Sequence, residues 1–462
     1  MIRRATRLEP DQHMTMEKNL TSGSVGKTIA YFALPYLLSY FLQTLYGMAD
    51  LFIAGQFVGV DGITAVANGS QVMYMLTVII VGLAMGTTVL TGRAVGAKNM
   101  KEASVVIGNT VVLFMSLSVL FMIGLLGAVR PIVSLIGVPE EAVEGTVAYL
   151  IICFVGIPFI TAYNIISSIF RGLGDSKSPM YFIAIACVAN IVLDYIFMGV
   201  CELGPAGAAL GTTLAQTLSV VIALISIRKK DTGIQLKKEH FRLDRQVLMR
   251  ILEIGVPVAV QDGCIQVAFI VITVIANHMG LDEAAAVGVV EKVIGAIFIV
   301  PSSMMATVSA LSAQNIGAGK PERAAQTLRY ATMITSIYGV IVTGIVLFTA
   351  EWVVGAFTKD AAVIRLGSQY LRGYIWDSIV AGVHFCFTGF FCAYGKSYIG
   401  FVHNITSILL VRIPGAYFAS KFFITMLPMG MAAPAGSVLS VVICVIAYTW
   451  MKRHGRLEVK TA

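Results

Sequence analysis

The stretch LPYLLSYFLQTLYGMADLFIAGQFV, residues 34–58, decides the fold class because it is long, apolar and carries a single charged side chain, Asp50. A second stretch, SPMYFIAIACVANIVLDYIFMGV at residues 178–200, holds Asp194 in the same way. A charged side chain at the centre of a lipid bilayer costs about 2.5–3.5 kcal/mol. We therefore expect the two carboxylates to bind something, and a cation that must cross the membrane is the obvious candidate.

The composition of the 462-residue chain is that of a polytopic membrane protein. Hydrophobic residues make up 57% and charged residues 13%, and the mean hydropathy is +0.83. Soluble proteins carry about 25% charged residues. Apolar runs long enough to cross about 30 Å as helices recur along the whole chain. They predict an all-α protein with about twelve membrane spans, at residues 29–56, 62–92, 104–129, 146–170, 178–200, 204–227, 250–277, 284–313, 330–350, 367–395, 397–420 and 429–451.

Lysine and arginine side chains predict the orientation of these spans. They collect in the N-terminal tail, which holds Arg3, Arg4, Arg7 and Lys18, in alternate loops and in the C-terminal tail. Loops of this kind face the cytoplasm, so we expect both termini to be cytoplasmic in a multi-pass protein of the cell (plasma) membrane. The net charge of +8 reflects this bias and does not indicate a nucleic-acid partner.

The chain repeats itself at an offset of about 221 residues. GVDGITAVANG (59–69) parallels GLDEAAAVGVV (280–290), and GRAVGAKNMKEA (92–103) parallels AQNIGAGKPERA (313–324). Because each half holds six spans, both halves begin on the same face of the membrane. This predicts two six-helix lobes related by a parallel internal repeat, whose axis runs along the membrane normal.

The repeat and the charges together predict the domain boundaries. In order along the chain they are a cytoplasmic tail at 1–25, the N-lobe at 26–227, a basic cytoplasmic linker at 228–249, the C-lobe at 250–451 and a second cytoplasmic tail at 452–462. In repeat transporters the substrate path lies between the repeats, near the middle of the membrane.

Six motifs resemble one transporter family when they are taken in order. They are LYGMADLFIAG (45–55), GRAVGAKN (92–99), RGLGDSKSPM (171–180), NIVLDYIF (190–197), GPAGAALGTTLAQ (204–216) and QNIGAGKPERA (314–324). Over essentially its full length, the chain is similar to the multidrug and toxic compound extrusion (MATE) family of cation-coupled exporters. The resemblance implies two lobes arranged as a V, an ion site in the N-lobe and a multidrug cavity between the lobes.

A polar stripe on the first span contributes to the predicted ion site. Its members, at spacings of i, i+4, i+7 and i+11 on one helix face, are Ser39, Gln43, Tyr46 and Asp50. Asn190 and Asp194 share a face of the fifth span in the same way. Helix rise places both carboxylates in the outer half of the membrane. Carboxylate, amide and hydroxyl oxygens in one layer suit a proton or a sodium ion.

The resemblance strengthens this assignment. Family members of the branch that the chain resembles keep an aspartate fifteen residues after the first-span proline, here Pro35, and an Asn-x-x-x-Asp in the fifth span. The resemblance therefore implies a cation-binding site formed by Asp50, Asn190, Asp194 and Thr212. Pro35 removes a backbone donor, which predicts either a static bend or a moving hinge in the first span.

The remaining polar groups are candidates for the substrate cavity: Gln43, Tyr46, Asp262, Gln266, Asp377 and His384. Asp262 and Gln266 share a face of the seventh span, and Asp377 and His384 share a face of the tenth. Another branch of the family binds sodium with acidic residues of these two spans. Neither aspartate of this chain matches those positions cleanly, so the role is not carried over.

The sequence favours a secondary active exporter that exchanges protons or sodium ions for small organic, often cationic, drugs by alternating access. It predicts a monomer in a lipid bilayer, with no cofactor and no bound metal beyond the coupling ion. The alternative is a lipid-linked oligosaccharide flippase of the same superfamily, which usually carries fourteen spans and a basic cavity. An enzyme is not expected, because the chain has no HExxH, no GxSxG and no nucleotide-binding loop.

Overall fold

The computed structural model describes residues 20–229, 234 and 236–458. Several basic residues of the orientation argument, among them Arg3, Arg4, Arg7 and Lys18, lie outside this described part. The N-lobe consists of α1 (Val25–Phe57), α2 (Val60–Gly96), α3 (Met100–Leu135), α4 (Val143–Val155), α5 (Ile157–Leu173), α6 (Lys177–Asp194) and α7 (Gly204–Lys229). A short π-helical segment, Tyr195–Val200, extends α6 directly, and we call such a segment a π-turn.

The C-lobe repeats this arrangement. Its helices are α8 (Arg245–Asn277), α9 (Leu281–Ile297), α10 (Ile299–Gly317), α11 (Pro321–Gly355), α12 (Ala361–Tyr374), α13 (Asp377–Ala393), α14 (Ser397–Ser407), α15 (Ile413–Phe422) and α16 (Leu427–Arg453). A second π-turn, Ile408–Arg412, joins α14 to α15. The two π-turns therefore lie in the fifth and eleventh spans, which are counterparts in the repeat.

Counting spans confirms the predicted fold class. Within the described residues, ten helical segments are long and apolar enough to cross a membrane, and two bent pairs bring the number to twelve. The bent pairs are α4 with α5, at 50°, and α12 with α13, at 45°. The sequence analysis expected both as unbroken spans. The first break follows from Gly156 and Pro158, because proline lacks the amide that would continue the helical hydrogen bonds.

The hydrophobic cores show where the lobes meet. We call the end of the bundle where α1 begins and α16 ends the tail face. One core cluster joins both lobes near this face, and packs Ile29 and Phe32 of α1 with Leu311 of α10. Away from it, one cluster lies wholly in the N-lobe and another wholly in the C-lobe. The lobes therefore pack together on the tail face, and a cleft between them opens toward the opposite side.

Glycines allow the close approach of α2 and α8 across the lobes. A Cβ atom on Gly86 would overlap the backbone oxygen of Ile251, and one on Gly255 would overlap the backbone oxygen of Leu83. Small residues at helix crossings bring two backbones within van der Waals contact, which is a common way to join membrane helices. At this crossing, the two lobes therefore meet backbone against backbone.

The internal repeat is visible at the tail face as a reciprocal contact. A Cβ on Gly96 would overlap the backbone oxygen of Gln314, and a Cβ on Gly317 would overlap the backbone oxygen of Arg93. Gly96 pairs with Gly317, and Arg93 with Gln314, in the sequence repeat. Each lobe therefore presents the same glycine to the same place on the other lobe, as a parallel repeat requires.

Two hydrogen bonds between the lobes follow the same symmetry. The Arg93 Nε donates to the backbone oxygen of Ala393 at 2.9 Å, and the Gln314 Nε2 donates to the backbone oxygen of Gly172 at 2.8 Å. We call these two bonds, with the Gly96 and Gly317 contacts, the tail-face latch. Because the latch joins α2 and α10 to the ends of α13 and α5, it holds the tail face closed in this conformation.

Candidate functional site

The structure brings the four predicted cation-site residues together in the N-lobe. Asp50 of α1, Asn190 and Asp194 of α6, and Thr212 of α7 are 3%, 0%, 0% and 7% exposed. The Thr212 hydroxyl donates to the Asp50 Oδ2 at 3.4 Å. Asn190 and Asp194 lie close enough to interact with the same carboxylate. The four side chains thus form one buried polar cluster, which we call the acid site.

Local helix geometry explains why these side chains converge. Asn190 and Asp194 are one helical turn apart, so both project from the face of α6 that packs against α1 and α7. Asp194 is the last residue before the π-turn, and π-turns are frequent at functional sites. Gly211 of α7 lies against the Asp194 Oδ1, where a Cβ atom would overlap it. A glycine at this position leaves room for the carboxylate.

The acid site has unused ligand atoms. Both oxygens of Asp194, both polar atoms of the Asn190 amide and the Asp50 Oδ1 are buried without a hydrogen-bond partner. Among the described residues, no basic side chain forms a salt bridge with either carboxylate. Two buried carboxylates this close cannot both stay ionised without compensation. The donor set therefore fits a proton or a hard cation, which prefers oxygen ligands.

The sequence analysis missed Gln216 as a neighbour of this site. Gln216 follows Thr212 by one helical turn on α7, is 8% exposed, and its side-chain oxygen has no hydrogen-bond partner. Its side chain interacts with Tyr46, which also lies near Asp50. The i, i+4 spacing from Thr212 was the available signal.

The predicted cavity residues divide into two groups. Four of them are partly exposed: Gln43, Tyr46, Asp262 and Gln266. Gln43 and Tyr46 face the interior of the N-lobe, where Gln43 contacts Tyr163. Asp377 and His384 are 0% and 1% exposed inside the C-lobe, so they do not line the cleft in this conformation. Their role in a substrate cavity stays a prediction.

Asp262 is a partly exposed acid of the C-lobe. It lies on α8 and interacts across the lobes with Tyr40 of α1 and Tyr74 of α2. The Tyr74 side chain is 56% exposed. A carboxylate beside aromatic rings is an arrangement that attracts organic cations, because the ring faces carry negative potential.

Pro35 lies inside α1, which continues unbroken through it. The Ser39 hydroxyl donates to the Pro35 carbonyl at 2.9 Å. Ser39 therefore contributes to the local structure of the first span, and whether Pro35 is a moving hinge stays a prediction.

Gly211→Ala is expected to disable the acid site without removing any of its ligands. The added methyl group must displace the Asp194 carboxylate, and overpacking of this kind costs about 1–3 kcal/mol, or roughly tenfold in function. Drug efflux from cells that express the variant would measure the loss. Gly127→Ala on α3 is the matched control, since nothing lies within 4 Å of the added Cβ. Equal efflux by the two variants would contradict the packing argument.

Comparison with known proteins agrees with the fold. The probable multidrug resistance protein YoeA of Bacillus subtilis (strain 168) is 25% identical over 459 residues, which cover 97% of this chain and 99% of YoeA. The multidrug export protein MepA of Staphylococcus saprophyticus is 23% identical over 81% of this chain and 82% of its own length. A crystal structure of a MATE protein in complex with MaL6 has a TM-score of 0.87 at 22% identity, and covers 94% of this chain and 97% of that one.

The family match follows the internal repeat. The sequence model of the MatE family matches twice, at residues 35–196 and 257–418. The two matches start near equivalent prolines, Pro35 and Pro257, one in each lobe. Because they cover more than half of the sequence, the chain belongs to the MatE family.

Proposed function

We propose that this protein is a secondary active exporter that exchanges protons or sodium ions for small organic cations by alternating access. The observation that carries the proposal is the acid site, where Asp50 and Asp194 are buried with unpartnered oxygens. An intramembrane acid pair without a basic partner is expensive to keep. It is expected where an ion binds and leaves during each transport cycle.

The closed tail face supports alternating access. Lysine and arginine bias assigns the tail face to the cytoplasm, so the described conformation is open toward the outside. The latch closes the path to the cytoplasm through two hydrogen bonds and two glycine contacts. Helix crossings made at small residues can separate and re-form, which suits a rocking motion of two repeats.

The cleft supports an organic cation as substrate. Asp262 places a carboxyl group near Tyr40 and Tyr74, and the cleft lies between the two lobes. Two curated relatives are named as multidrug resistance or multidrug export proteins. These names do not favour the oligosaccharide flippase that the sequence analysis kept as an alternative.

Coupling follows from the position of the acid site in the N-lobe. Once the coupling ion has left, the negative charge of the acid site attracts a cation, either the drug from the cleft or another coupling ion. Neutralisation of the site by the coupling ion removes that attraction and favours drug release. Drug and ion are then reciprocal ligands, each of which lowers the affinity for the other.

Transport in proteoliposomes tests the proposal. The purified protein should move a fluorescent organic cation when a pH gradient or a sodium gradient is imposed, and the two gradients should be varied independently. Movement that follows one of them at zero membrane potential supports exchange. Equal movement with no gradient of either ion would contradict secondary active export.

The proposed orientation predicts which cysteines an impermeant reagent reaches. Cys201 is exposed in the loop after the fifth span, on the side opposite the tail face. Cys264 is also partly exposed, so it is replaced with serine to leave Cys201 as the reporter. We expect a membrane-impermeant maleimide to label Cys201 in intact cells that express the Cys264→Ser variant. A cysteine introduced at Lys238 in the linker should react only after the cells are permeabilised. The reverse pattern would mean that the tail face is extracellular.

A further inference from the structure

A second buried charged cluster lies in the C-lobe, outside the acid site. The Asp377 side chain of α13 is 0% exposed, and the Arg412 side chain is 11% exposed. The Arg412 Nη2 lies 3.7 Å from the Asp377 Oδ2 and donates to the Ser437 hydroxyl at 2.7 Å. This acid therefore has a basic partner, whereas the acids of the N-lobe have none.

Asp377 depends on Arg412 for compensation of its charge. Neither of its carboxylate oxygens has a hydrogen-bond partner. Within the described part of the chain, Arg412 is its one salt-bridge partner. A buried charge that loses its partner is strongly destabilised. Without Arg412, the carboxylate would have to take up a proton or another cation.

The internal repeat allows the Asp377–Arg412 pair to be compared with the acid site. Asp194 lies directly before the π-turn of the fifth span, and Arg412 is the last residue of the π-turn of the eleventh span. The two spans are counterparts in the parallel repeat. Near these two π-turns, the N-lobe thus carries acids without a fixed cation, and the C-lobe carries an acid with one.

The surroundings of Arg412 make a fitted place for its side chain. A Cβ atom on Gly436 of α16 would lie 2.5 Å from the Arg412 Cγ and 2.6 Å from the Ser407 Oγ. Glycine at this position leaves the space that the Arg412 side chain needs to reach Asp377. The two imidazoles near the pair, His384 and His403, are also buried, and His384 contacts the Ser437 hydroxyl at 3.3 Å.

We propose that Arg412 is a tethered counter-ion that permanently neutralises Asp377 in the C-lobe, so that the coupling cation binds in the N-lobe alone. The proposal rests on the cation-coupled export described above. It makes Arg412 a residue that sets how many cations are exchanged per drug. Loss of the guanidinium charge turns Asp377 into a second site for the coupling cation.

The coupling ratio of Arg412→Met tests this proposal. In proteoliposomes clamped at zero membrane potential, a fixed drug gradient is opposed by increasing cation gradients until net drug flux stops. If one cation is exchanged per drug, a drug gradient of about 100-fold is balanced by a cation gradient of about 100-fold. With a second cation bound at Asp377, a gradient of about 10-fold suffices. We expect the smaller balancing gradient for Arg412→Met and the larger one for the wild type.

A second variant covers the case in which Arg412→Met does not fold. Asp377→Asn combined with Arg412→Met removes both charges, and we expect it to fold and to show the wild-type balancing gradient. A folded Arg412→Met protein with an unchanged gradient would overturn the proposal. A double variant with the small balancing gradient expected of Arg412→Met would also overturn it, because the second cation would then bind somewhere other than Asp377. A wild-type protein that ignores all cation gradients would instead refute the proposed function itself.

Discussion

Export driven by a cation gradient is expected to stop when Asp194 is replaced with asparagine, while the protein still inserts and folds. Asparagine has nearly the same shape as aspartate, so the packing against Gly211 and Asn190 is retained. The amide cannot take up a proton, and it has no negative charge with which to bind a cation. Asp50→Asn should have the same effect, since Asp50 and Asp194 form one site.

The double variant sharpens this prediction. If the two carboxylates act as a unit, Asp50→Asn with Asp194→Asn should be little worse than either single change, because groups in direct contact are not additive. Efflux of an ethidium-type dye from cells that overexpress each variant measures the effect. Asp61→Asn is the matched control, since Asp61 is an exposed acid in the first turn of α2. Normal export by Asp194→Asn would contradict the location of the cation site and would leave Asp262 and Asp377 as the next candidates.

Closing of the tail face should fail when Gly96 is changed to alanine. Its Cβ would overlap the backbone oxygen of Gln314, and neither backbone can move away without parting α2 from α10. Overlap with backbone is hard to relieve, and we expect a loss of transport of at least about tenfold. Gly317→Ala should behave in the same way, because the latch is reciprocal.

A distance measurement can distinguish failure to close the tail face from misfolding of the Gly96→Ala protein. Spin labels at Lys101 and Arg329, which lie on the tail face of opposite lobes, report the distance between the lobes. We expect this distance to lengthen in Gly96→Ala and to stay unchanged in Gly344→Ala, where nothing lies within 4 Å of the added Cβ. A Gly96→Ala protein with the wild-type distance and reduced transport would contradict the role of the latch.

Much of the fold could be predicted because it follows from the length of the apolar runs and from the internal repeat. Apolar runs that each match the thickness of a bilayer predict the spans, and the offset between GRAVGAKN and AQNIGAGK predicts the repeat. The breaks in the fourth and tenth spans were not predicted. Trp376 at the second break gives no signal of the kind that Pro158 gives at the first.

The acid site was predictable in part for the same reason. Asp50 and Asp194 are single charges in apolar helices, which makes them visible in the sequence. The role of Gly211 could not be predicted, because it depends on how α7 packs against α6. The pairing of Asp377 with Arg412 joins two helices, and the latch uses backbone oxygens such as that of Ala393, which no side-chain pattern reveals.

The central claim is that the coupling cation and the drug compete through the acid site. It is tested most directly by measuring the affinity of the purified protein for one fluorescent organic cation over a range of pH and sodium concentration. For the wild type, we predict that the affinity falls as the coupling cation becomes more concentrated. For Asp194→Asn, the affinity should no longer depend on that cation. An Asp194→Asn protein whose drug affinity keeps the wild-type dependence on pH and sodium would contradict the account.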